Sequence, residues 1–394
     1  MTTADAASAA SAGGAAASVE ERMPGPALSC PACSSPVAAG ERFCEACGAD
    51  LGLPAASAAG TPPPVGTDGT TCRECGGEVA DDGYCTQCGA RAASPRNHFT
   101  EQPAPWVAAV CDRGIRHTRN EDAVALDADP EPGSRAVLVV CDGVSSSTDS
   151  DVASLAAARA ARDVLAVSDP QAMGTAATRR AASARALVVA ADAANEAVIA
   201  HTTAGSASPA SCTFVAAVLD GPLLVVGWVG DSRAYWLPDA GEPLLLTTDD
   251  SFAAEQIADG VRRADAESGP QAHAITRWLG SDAPDHTPRT LSLDLAVPGW
   301  VMACSDGLWN YCSEASDMAA LLTRTRGTTG DDPLPLAGAL VDWANAQGGQ
   351  DNITVALARV GTDPRAATAQ PVAATAPEPA AYREEAEPDG HVLS

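Results

Sequence analysis

Five short acidic motifs, far apart in the chain, contain the residues best suited to chemistry. They are Asn120-Glu121-Asp122, Cys141-Asp142-Gly143, Gly230-Asp231-Ser232, Ser305-Asp306-Gly307 and Asp351-Asn352. In the middle three motifs the aspartate comes directly after an apolar run of strand type. Carboxylates gathered at strand ends repel one another unless positive charge lies between them, and hard divalent cations with oxygen ligands supply it. The motifs therefore predict a polynuclear site of the Mg/Mn type.

The elements that must position these motifs alternate between apolar runs and long alanine-rich segments. Strong helix formers without proline predict helices over residues 151–167 and 176–201. The predicted strands are residues 106–111, 136–141, 213–219, 223–229, 299–303 and 353–358. Long helices packed on two sheets make a layered α+β domain.

Composition predicts how the chain is divided. Residues 1–27 and 361–394 have few large apolar side chains and are predicted to be disordered. Residues 28–91 form two small cysteine modules, 28–51 and 70–91, joined by a Pro/Gly-rich linker. Residues 92–105 are predicted to be a second linker, and residues 106–360 the main domain.

The charge balance restricts the partners. With 51 acidic and 24 basic residues, the formal charge is -27, which disfavours nucleic acid and anionic lipid as main partners. The sequence contains no stretch of about 18 apolar residues, so a membrane span is not predicted. Residues 1–19 lack the pattern of a secretory signal. We therefore expect a cytoplasmic protein, in which cysteines stay reduced.

Eight of the 13 cysteines form four C-x-x-C pairs. The two sets of four are Cys30, Cys33, Cys44 and Cys47, and Cys72, Cys75, Cys85 and Cys88. Four thiolates complete a tetrahedral zinc site, so two structural Zn²⁺ ions are predicted; disulfides or a redox dithiol are the alternatives. The pair resembles double zinc ribbon modules. Because acidic residues outnumber arginines in this segment, contact with a protein or mere spacing is favoured over nucleic-acid binding.

The other five cysteines have no C-x-x-C spacing and mostly lie in or beside apolar runs. We expect them to be small buried hydrophobic residues. They are Cys111, Cys141, Cys212, Cys304 and Cys312.

In their order along the chain, the acidic motifs resemble those of the metal-dependent PPM (PP2C-type) serine/threonine protein phosphatases. The resemblance covers about residues 106–360 and includes the Asp112-Arg-Gly segment before the first motif. A single motif of this length is weak, but five in the family's order are specific. The resemblance implies a four-layer PP2C-like β-sandwich flanked by helices.

The resemblance also implies which residues hold metal. Asp142 would bridge two Mn²⁺ or Mg²⁺ ions, with the backbone carbonyl of Gly143 on one of them. Asp306 and Asp351 would ligate the other ion, and Asp231 would join Asp306 at a third site. Two such cations about 3.5 to 4 Å apart can activate a water molecule for in-line attack on phosphorus.

The resemblance also implies that residues around Glu121 bind metal-bound water and the phosphate group. Glu121 or Asp122 would hold metal-bound water. The family places an arginine four residues before the glutamate, and that position is His117 here. Arg116 and Arg119 flank it, and one of them would take over the clamp on phosphate, which a guanidinium holds through two hydrogen bonds.

Two further segments depart from the family pattern. Val144 and the serines at 145–147 follow Gly143 and offer no general acid, so protonation of the leaving group would fall to water or to His117. Residues 247–251 read Thr-Thr-Asp-Asp-Ser, where Thr-x-Asp-His-Ser is common. This second change concerns the family's mobile flap, at about residues 251–295, more than the metal site.

The sequence thus predicts a Mn/Mg-dependent phosphatase that hydrolyses phosphoserine and phosphothreonine directly with water. The family resemblance implies that its substrates are phosphoproteins made by a serine/threonine kinase, and the role expected for the zinc ribbons is contact with a protein partner or mere spacing. One alternative is a pseudophosphatase that binds without turnover, which His117 and Val144 suggest. Another is a scaffold in which the zinc ribbons bind a protein or nucleic acid. The complete set of Asp142, Asp306 and Asp351 favours the enzyme.

Overall fold

The computed structural model describes residues 28–29, 36–37, 72, 75–80, 84–89, 92, 94–168, 174–269, 271–272 and 274–361. Contacts divide the chain into two compact units, residues 1–65 and 66–394. In the first unit, β1 (Leu28–Ser29) pairs with β2 (Pro36–Val37) in antiparallel fashion. Several predictions fall outside the described residues. They concern the disordered segments 1–27 and 361–394, of which only Gly361 is described, the linker between the cysteine modules, and the cysteines at 30, 33, 44 and 47.

Six antiparallel strands of the second unit form one sheet. In spatial order they are β11 (Leu244–Leu245), β10 (Arg233–Pro238), β14 (Gly299–Cys304), β15 (Ile353–Val360), β4 (Val107–Asp112) and β3 (His98–Ala104). Strands β4, β14 and β15 confirm three predicted strands.

Strand β3 corrects the prediction that residues 92–105 are a linker. Residues 98–104 pair with β4 at the edge of the six-stranded sheet, and a 3₁₀ turn (Pro95–Asn97) leads into them. Only Ala104 of this strand is buried. An edge strand needs little apolar surface, so its polar sequence carried no strand signal.

Five antiparallel strands form the second sheet. In order they are β13 (Arg289–Asp294), β9 (Leu223–Val229), β8 (Phe214–Asp220), β6 (Arg135–Cys141) and β5 (Ala123–Ala128), and a separate ladder joins β7 (Ser211–Cys212) to β12 (Leu279–Gly280). Every residue of β8 and β9 is buried, because helices cover one face of this sheet and the other sheet covers its opposite face. These continuous apolar runs confirm the three strands predicted here.

Helices cover both outer faces. The long helices α1 (Ser150–Val167) and α2 (Ala176–Ala200) pack on the five-stranded sheet and confirm the two predicted helices. On the six-stranded sheet lie α5 (Asp306–Trp309), α6 (Ala315–Thr329) and α7 (Pro333–Gln347). Two short helices, α3 (Phe252–Ala258) and α4 (Arg263–Glu267), belong to the predicted flap between β11 and β13.

The core consists of three main apolar clusters, one between the sheets and one under each helical layer. This four-layer arrangement confirms the predicted α+β sandwich. The five cysteines outside the C-x-x-C pairs are all buried, as expected. Within the described part of the chain, no helix combines the length and the apolar character needed to cross a membrane.

Candidate active site

Strand register brings the first two acidic motifs together. Strand β5 starts at Ala123 opposite Cys141, the last residue of β6, so Asp122 and Asp142 extend from neighbouring strand ends. The backbone N–H of Asp142 donates to Thr213 Oγ1 at 2.9 Å, and the carbonyl of Asp142 accepts from the Thr213 N–H at 2.8 Å. These bonds fix the backbone of Asp142 after its strand has ended.

The other sheet supplies the next two motifs in the same way. Strand β14 ends at Cys304, opposite Val355 of β15, and Asp306 opens α5 just after it. A Cβ at Gly307 would lie 1.9 Å from the carbonyl oxygen of Asn352. Only glycine therefore lets the two loops approach this closely.

Five carboxyl groups converge at this end of the sandwich. Burial raises the pKa of Asp142 and of Asp306 well above the ordinary range, and the neighbouring carboxyls raise both further. Burial also raises the pKa of Asp122 to about 6 and that of Asp231 to about 7. Asp351, whose side chain is 38% exposed, completes the group. The fold thus places the predicted metal-ligand aspartates close enough for their charges to influence one another.

The buried carboxyls of this group fit divalent cations. Within the described residues, no Arg or His side chain forms an ion pair within 4.0 Å with Asp122, Asp142, Asp231 or Asp306. Among the described residues, the buried Oδ1 atoms of Asp122 and Asp306 find no hydrogen-bond partner. Buried carboxylates need a compensating charge, and Mg²⁺ or Mn²⁺ accept oxygen ligands of this kind.

Asp122 is held from one side only. Its Oδ2 accepts hydrogen bonds from Ser305 Oγ at 2.6 Å and from Thr354 Oγ1 at 2.7 Å. Neither donor was assigned a role from the sequence. Ser305 directly precedes Asp306, and Thr354 lies three residues after Asp351. This closeness to two acidic motifs was the available signal.

Glu121 is enclosed by donors from its own protein. Its Oε1 accepts from Nε and Nη2 of Arg119 at 3.1 and 2.7 Å and from Ser150 Oγ, and its Oε2 accepts from Ser145 Oγ at 2.8 Å. Burial alone would raise the pKa of Glu121, but the hydrogen bonds from Ser150, Ser145 and Arg119 outweigh it and lower the pKa. Sequence reasoning missed both serines.

Gly143 permits this enclosure. A Cβ on Gly143 would lie 2.6 Å from the carbonyl oxygen of Glu121 and 3.0 Å from that of Ser150. The start of α1 can therefore approach the Asn120-Glu121-Asp122 segment only because residue 143 has no side chain.

The three basic candidates differ in their contacts. His117 lies between two acids, with Nε2 3.2 Å from Asp351 Oδ1 and Nδ1 3.6 Å from Glu121 Oε2. Arg119 is committed to Glu121. Arg116 is exposed, and its guanidinium has no partner among the residues that the structure describes.

Asn352 connects the loops beneath these groups. Its Oδ1 accepts from the backbone N–H of Glu121 at 2.7 Å, and its Nδ2 donates to the carbonyls of Arg113 and Arg119 at 2.7 and 3.1 Å. From the sequence, Asn352 is recognisable only as part of a motif. Its adjacency to Asp351 is the signal that could have identified it.

A buried ion pair joins the Gly230-Asp231-Ser232 motif to the flap. Arg233, only 1% exposed, bonds Asp249 through Nε and Nη2 at 2.7 to 3.2 Å and stacks 3.6 Å above the ring of Trp309. Asp250, in the position where histidine is common, accepts from the Gly230 N–H at 3.1 Å and pairs with Arg277 at 3.3 Å. Asp250 therefore forms contacts at the base of the flap, as expected from the departure at this position.

The described cysteine set is arranged for one metal ion. The sulfur atoms of Cys72, Cys75, Cys85 and Cys88 all lie within 4.8 Å of one another, with Cys72–Cys88 and Cys75–Cys85 separations of 3.6 and 3.5 Å. Zn–S bonds of about 2.3 Å in a tetrahedron require sulfur separations of about 3.8 Å. The geometry fits zinc.

Comparison with known families identifies the large domain. A family model for protein phosphatase 2C matches residues 114–343, which is more than half of the chain. The chain belongs to the protein phosphatase 2C family. A second model, for the double zinc ribbon, matches residues 30–96. Both resemblances drawn from the sequence are therefore confirmed.

Curated phosphatases and phosphatases of known structure are similar to this chain. The serine/threonine phosphatase stp of Listeria innocua is 32% identical over 146 residues, which are 37% of this chain and 55% of that protein. The chain thus spans about half the length of the curated relatives it matches. The solved serine/threonine phosphatase of S. agalactiae is 26% identical with a TM-score of 0.54, covering 66% of this chain and 100% of that chain. The Mycobacterium tuberculosis phosphatase PstP/Ppp is 26% identical with a TM-score of 0.50, covering 65% and 98%.

Proposed function

We propose that this protein is a metal-dependent serine/threonine protein phosphatase that hydrolyses phosphoserine and phosphothreonine in phosphoproteins. The observation that carries the proposal is a group of four aspartates, of which 122, 231 and 306 are buried and 142 is partly buried, for which the described residues supply no pairing cation. Membership of the protein phosphatase 2C family and the names of its similar relatives support it.

The positions of the carboxyl groups support the metal ligands that the family resemblance implies. Asp142 and the carbonyl of Gly143 would hold two Mn²⁺ or Mg²⁺ ions together with Asp306 and Asp351, and Asp231 would hold a third ion with Asp306. When bound, the cations would lower the pKa of water and direct it at phosphorus. No covalent phosphoenzyme is needed.

Asp122 is the better of the two candidates for orienting water. Both carboxylate oxygens of Glu121 already accept hydrogen bonds from Arg119, Ser145 or Ser150, whereas Oδ1 of Asp122 has no partner among the described residues. In this assignment Ser305 and Thr354 hold Oδ2, so that Oδ1 faces a fixed direction. Glu121 is then a positioning residue that holds Arg119.

Arg116 is the preferred clamp on the phosphoryl group. Its guanidinium is free among the described residues, while Arg119 would have to leave the buried Glu121 before it could bind phosphate. His117 borders the same space through Asp351. It is the candidate proton donor to the leaving group, with water as the alternative.

The cysteine modules would each hold one structural Zn²⁺. The described set of four supports this for residues 72–88, and a protein partner remains the favoured role of the module. A cytoplasmic location and a serine/threonine kinase as the source of substrates stay predictions.

A pseudophosphatase is the second candidate. The contact of His117 with Asp351 favours it, because the family's arginine is missing from that position. Such a protein would bind phosphopeptides without hydrolysing them.

Phosphate release from a phosphothreonine peptide tests the main proposal. We expect turnover with saturating Mn²⁺, none with a chelator and none from Asp142→Ala, which removes a carboxylate shared by two ions. Absence of turnover by the wild-type protein in saturating Mn²⁺, together with retained peptide binding, would establish the pseudophosphatase instead.

A further inference from the structure

A cavity of about 480 Å³ lies beside helix α3 of the flap. Helix α3 contributes Ala253, Ala254, Ile257 and Ala258 to its wall, and Trp309 also lines it. Alanine side chains are too short to fill the space between the flap and the turn after β14, so the sequence of α3 itself creates the cavity. Its volume is in the range of pockets that bind ligands.

The cavity adjoins the acidic centre. Gly307 and Asp351, which belong to the motifs of that centre, also line the cavity. A substrate with its phosphoryl group at the carboxylates would therefore carry its neighbouring residues past the flap.

Charges in the cavity wall are already paired. Arg233 bonds Asp249 at 2.7 Å, and Arg263 bonds Glu267 at 2.8 Å. The remaining lining carboxylate, Asp351, contacts His117 at 3.2 Å. A charged occupant would find no free counter-ion in this wall, whereas an aliphatic side chain would bury apolar surface against the α3 residues and Trp309.

We propose that this cavity binds an aliphatic side chain two residues away from the phosphorylated residue of a protein substrate. In an extended peptide, residues two apart point to the same face, about 7 Å from each other. A phosphoresidue at the acidic centre thus directs its second neighbour toward the adjoining cavity. This inference rests on the proposed phosphatase function and adds the kind of sequence that is preferred.

Phosphothreonine peptides that differ only at the second position on either side test the inference. We expect the wild-type protein with Mn²⁺ to prefer Leu over Gly on one side by roughly tenfold in kcat/KM, because burial of one aliphatic side chain has an effect of this size. Glu at that position should be no better than Gly. Equal kcat/KM for the Leu and Gly peptides on both sides would overturn the inference.

Filling the cavity should remove the preference. Ala254→Phe should bring the Leu-to-Gly ratio close to one, and Glu255→Phe, on the same helix but outside the cavity wall, should keep it. Ala258→Leu, at an exposed position of the wall, should also lower the ratio. Because this position is exposed, the second variant still tests the cavity if Ala254→Phe fails to fold. A ratio unchanged in both wall variants would contradict the assignment.

Binding separates this inference from the proposed hydrolysis. Fluorescence polarisation with non-hydrolysable phosphonate analogues of the same peptides measures the preference without turnover. A Leu preference in binding, with no hydrolysis of any peptide, would support the cavity and reject the enzyme. Hydrolysis without a preference in either assay would reject the cavity alone.

Discussion

His117 Nε2 lies 3.2 Å from Oδ1 of Asp351, so the family's arginine position is filled by an imidazole in contact with a proposed metal ligand. The same ring reaches Glu121 on its other side at 3.6 Å. A neutral or singly charged ring between two acids cannot offer the paired N–H groups of a guanidinium. In the proposed phosphatase, recognition of phosphate would therefore depend on the arginines that flank His117.

Restoring the arginine tests that dependence. We expect His117→Arg to strengthen inhibition by inorganic phosphate by roughly tenfold, because a guanidinium binds phosphate through two charge-assisted hydrogen bonds. His117→Gln, which keeps a polar side chain without the charge, is the control and should not strengthen it. Equal inhibition constants for wild type and His117→Arg would show that this position does not face the phosphate.

The two flanking arginines should respond differently to truncation. Arg116→Ala should raise KM for a phosphopeptide several-fold without changing the melting temperature, since its guanidinium has no partner in the described structure. Arg119→Ala should lower the melting temperature, because a carboxylate with 4% exposure loses its cation, at a cost of roughly 1 to 3 kcal/mol. Steady-state kinetics and thermal melts distinguish the two variants. A higher KM in Arg119→Ala and a lower melting temperature in Arg116→Ala would mean that Arg119 binds phosphate and Arg116 is structural.

Removing one buried carboxylate should stabilise the metal-free protein while abolishing turnover. Asp306 combines a buried, unpartnered Oδ1 with repulsion from neighbouring carboxyls. Asp306→Asn should therefore raise the melting temperature in a chelator by several degrees and remove the Mn²⁺-induced stabilisation. A lower melting temperature in chelator would mean that Asp306 is structural rather than a ligand.

The same carboxyls should make the metal-free protein less stable as the pH rises. Burial holds the pKa of Asp122 at about 6 and of Asp231 at about 7 in the folded state, above the ordinary 3.8. The folded state then binds protons more tightly than the unfolded chain, so this contribution favours folding below about pH 4 and is lost through pH 6 to 7.

Thermal melts in chelator from pH 4.5 to 7.5 measure that contribution. Comparison with Asp122→Asn cancels the titration of groups that do not interact with Asp122, and we expect wild type to lose stability relative to the variant by roughly 2 kcal/mol across this range. Parallel curves would show that Asp122 ionises normally.

Metal analysis tests the cysteine modules. We expect about two Zn per chain, and about one after Cys72→Ser with Cys75→Ser, because each set of four thiolates fills one tetrahedral site. In the described set, hydrogen bonds from the backbone N–H groups of Cys88 and Gln87 lower the pKa of Cys85 to about 6, which favours the ligating thiolate. Unchanged zinc in the double variant would contradict the assignment.

The sequence could predict the layers and the acidic centre because both depend on local patterns. Apolar runs marked β6, β9 and β14, and an aspartate after each run marked one end of the sandwich. The order of the motifs, which matches that of the phosphatase family, then indicated that motifs from two different sheets belong to one site. No local pattern could indicate this.

Contacts between distant segments were beyond prediction. The Arg233–Asp249 pair, the bonds of Ser145 and Ser150 to Glu121, and the alanine-lined cavity all depend on which loops meet. Polar residues in loops show no sequence periodicity from which their contacts could be predicted. The edge strand β3 was missed because an edge position does not require apolar alternation.

That edge strand also determines where the protein phosphatase 2C domain can be cut. A truncated protein beginning at residue 106 would lose residues 98–104 and leave the N–H and C=O groups of β4 unpaired along one side. Exposed strand edges of this kind pair with other molecules. Such a truncation would therefore aggregate, and a soluble domain must keep the residues that directly follow the second cysteine module.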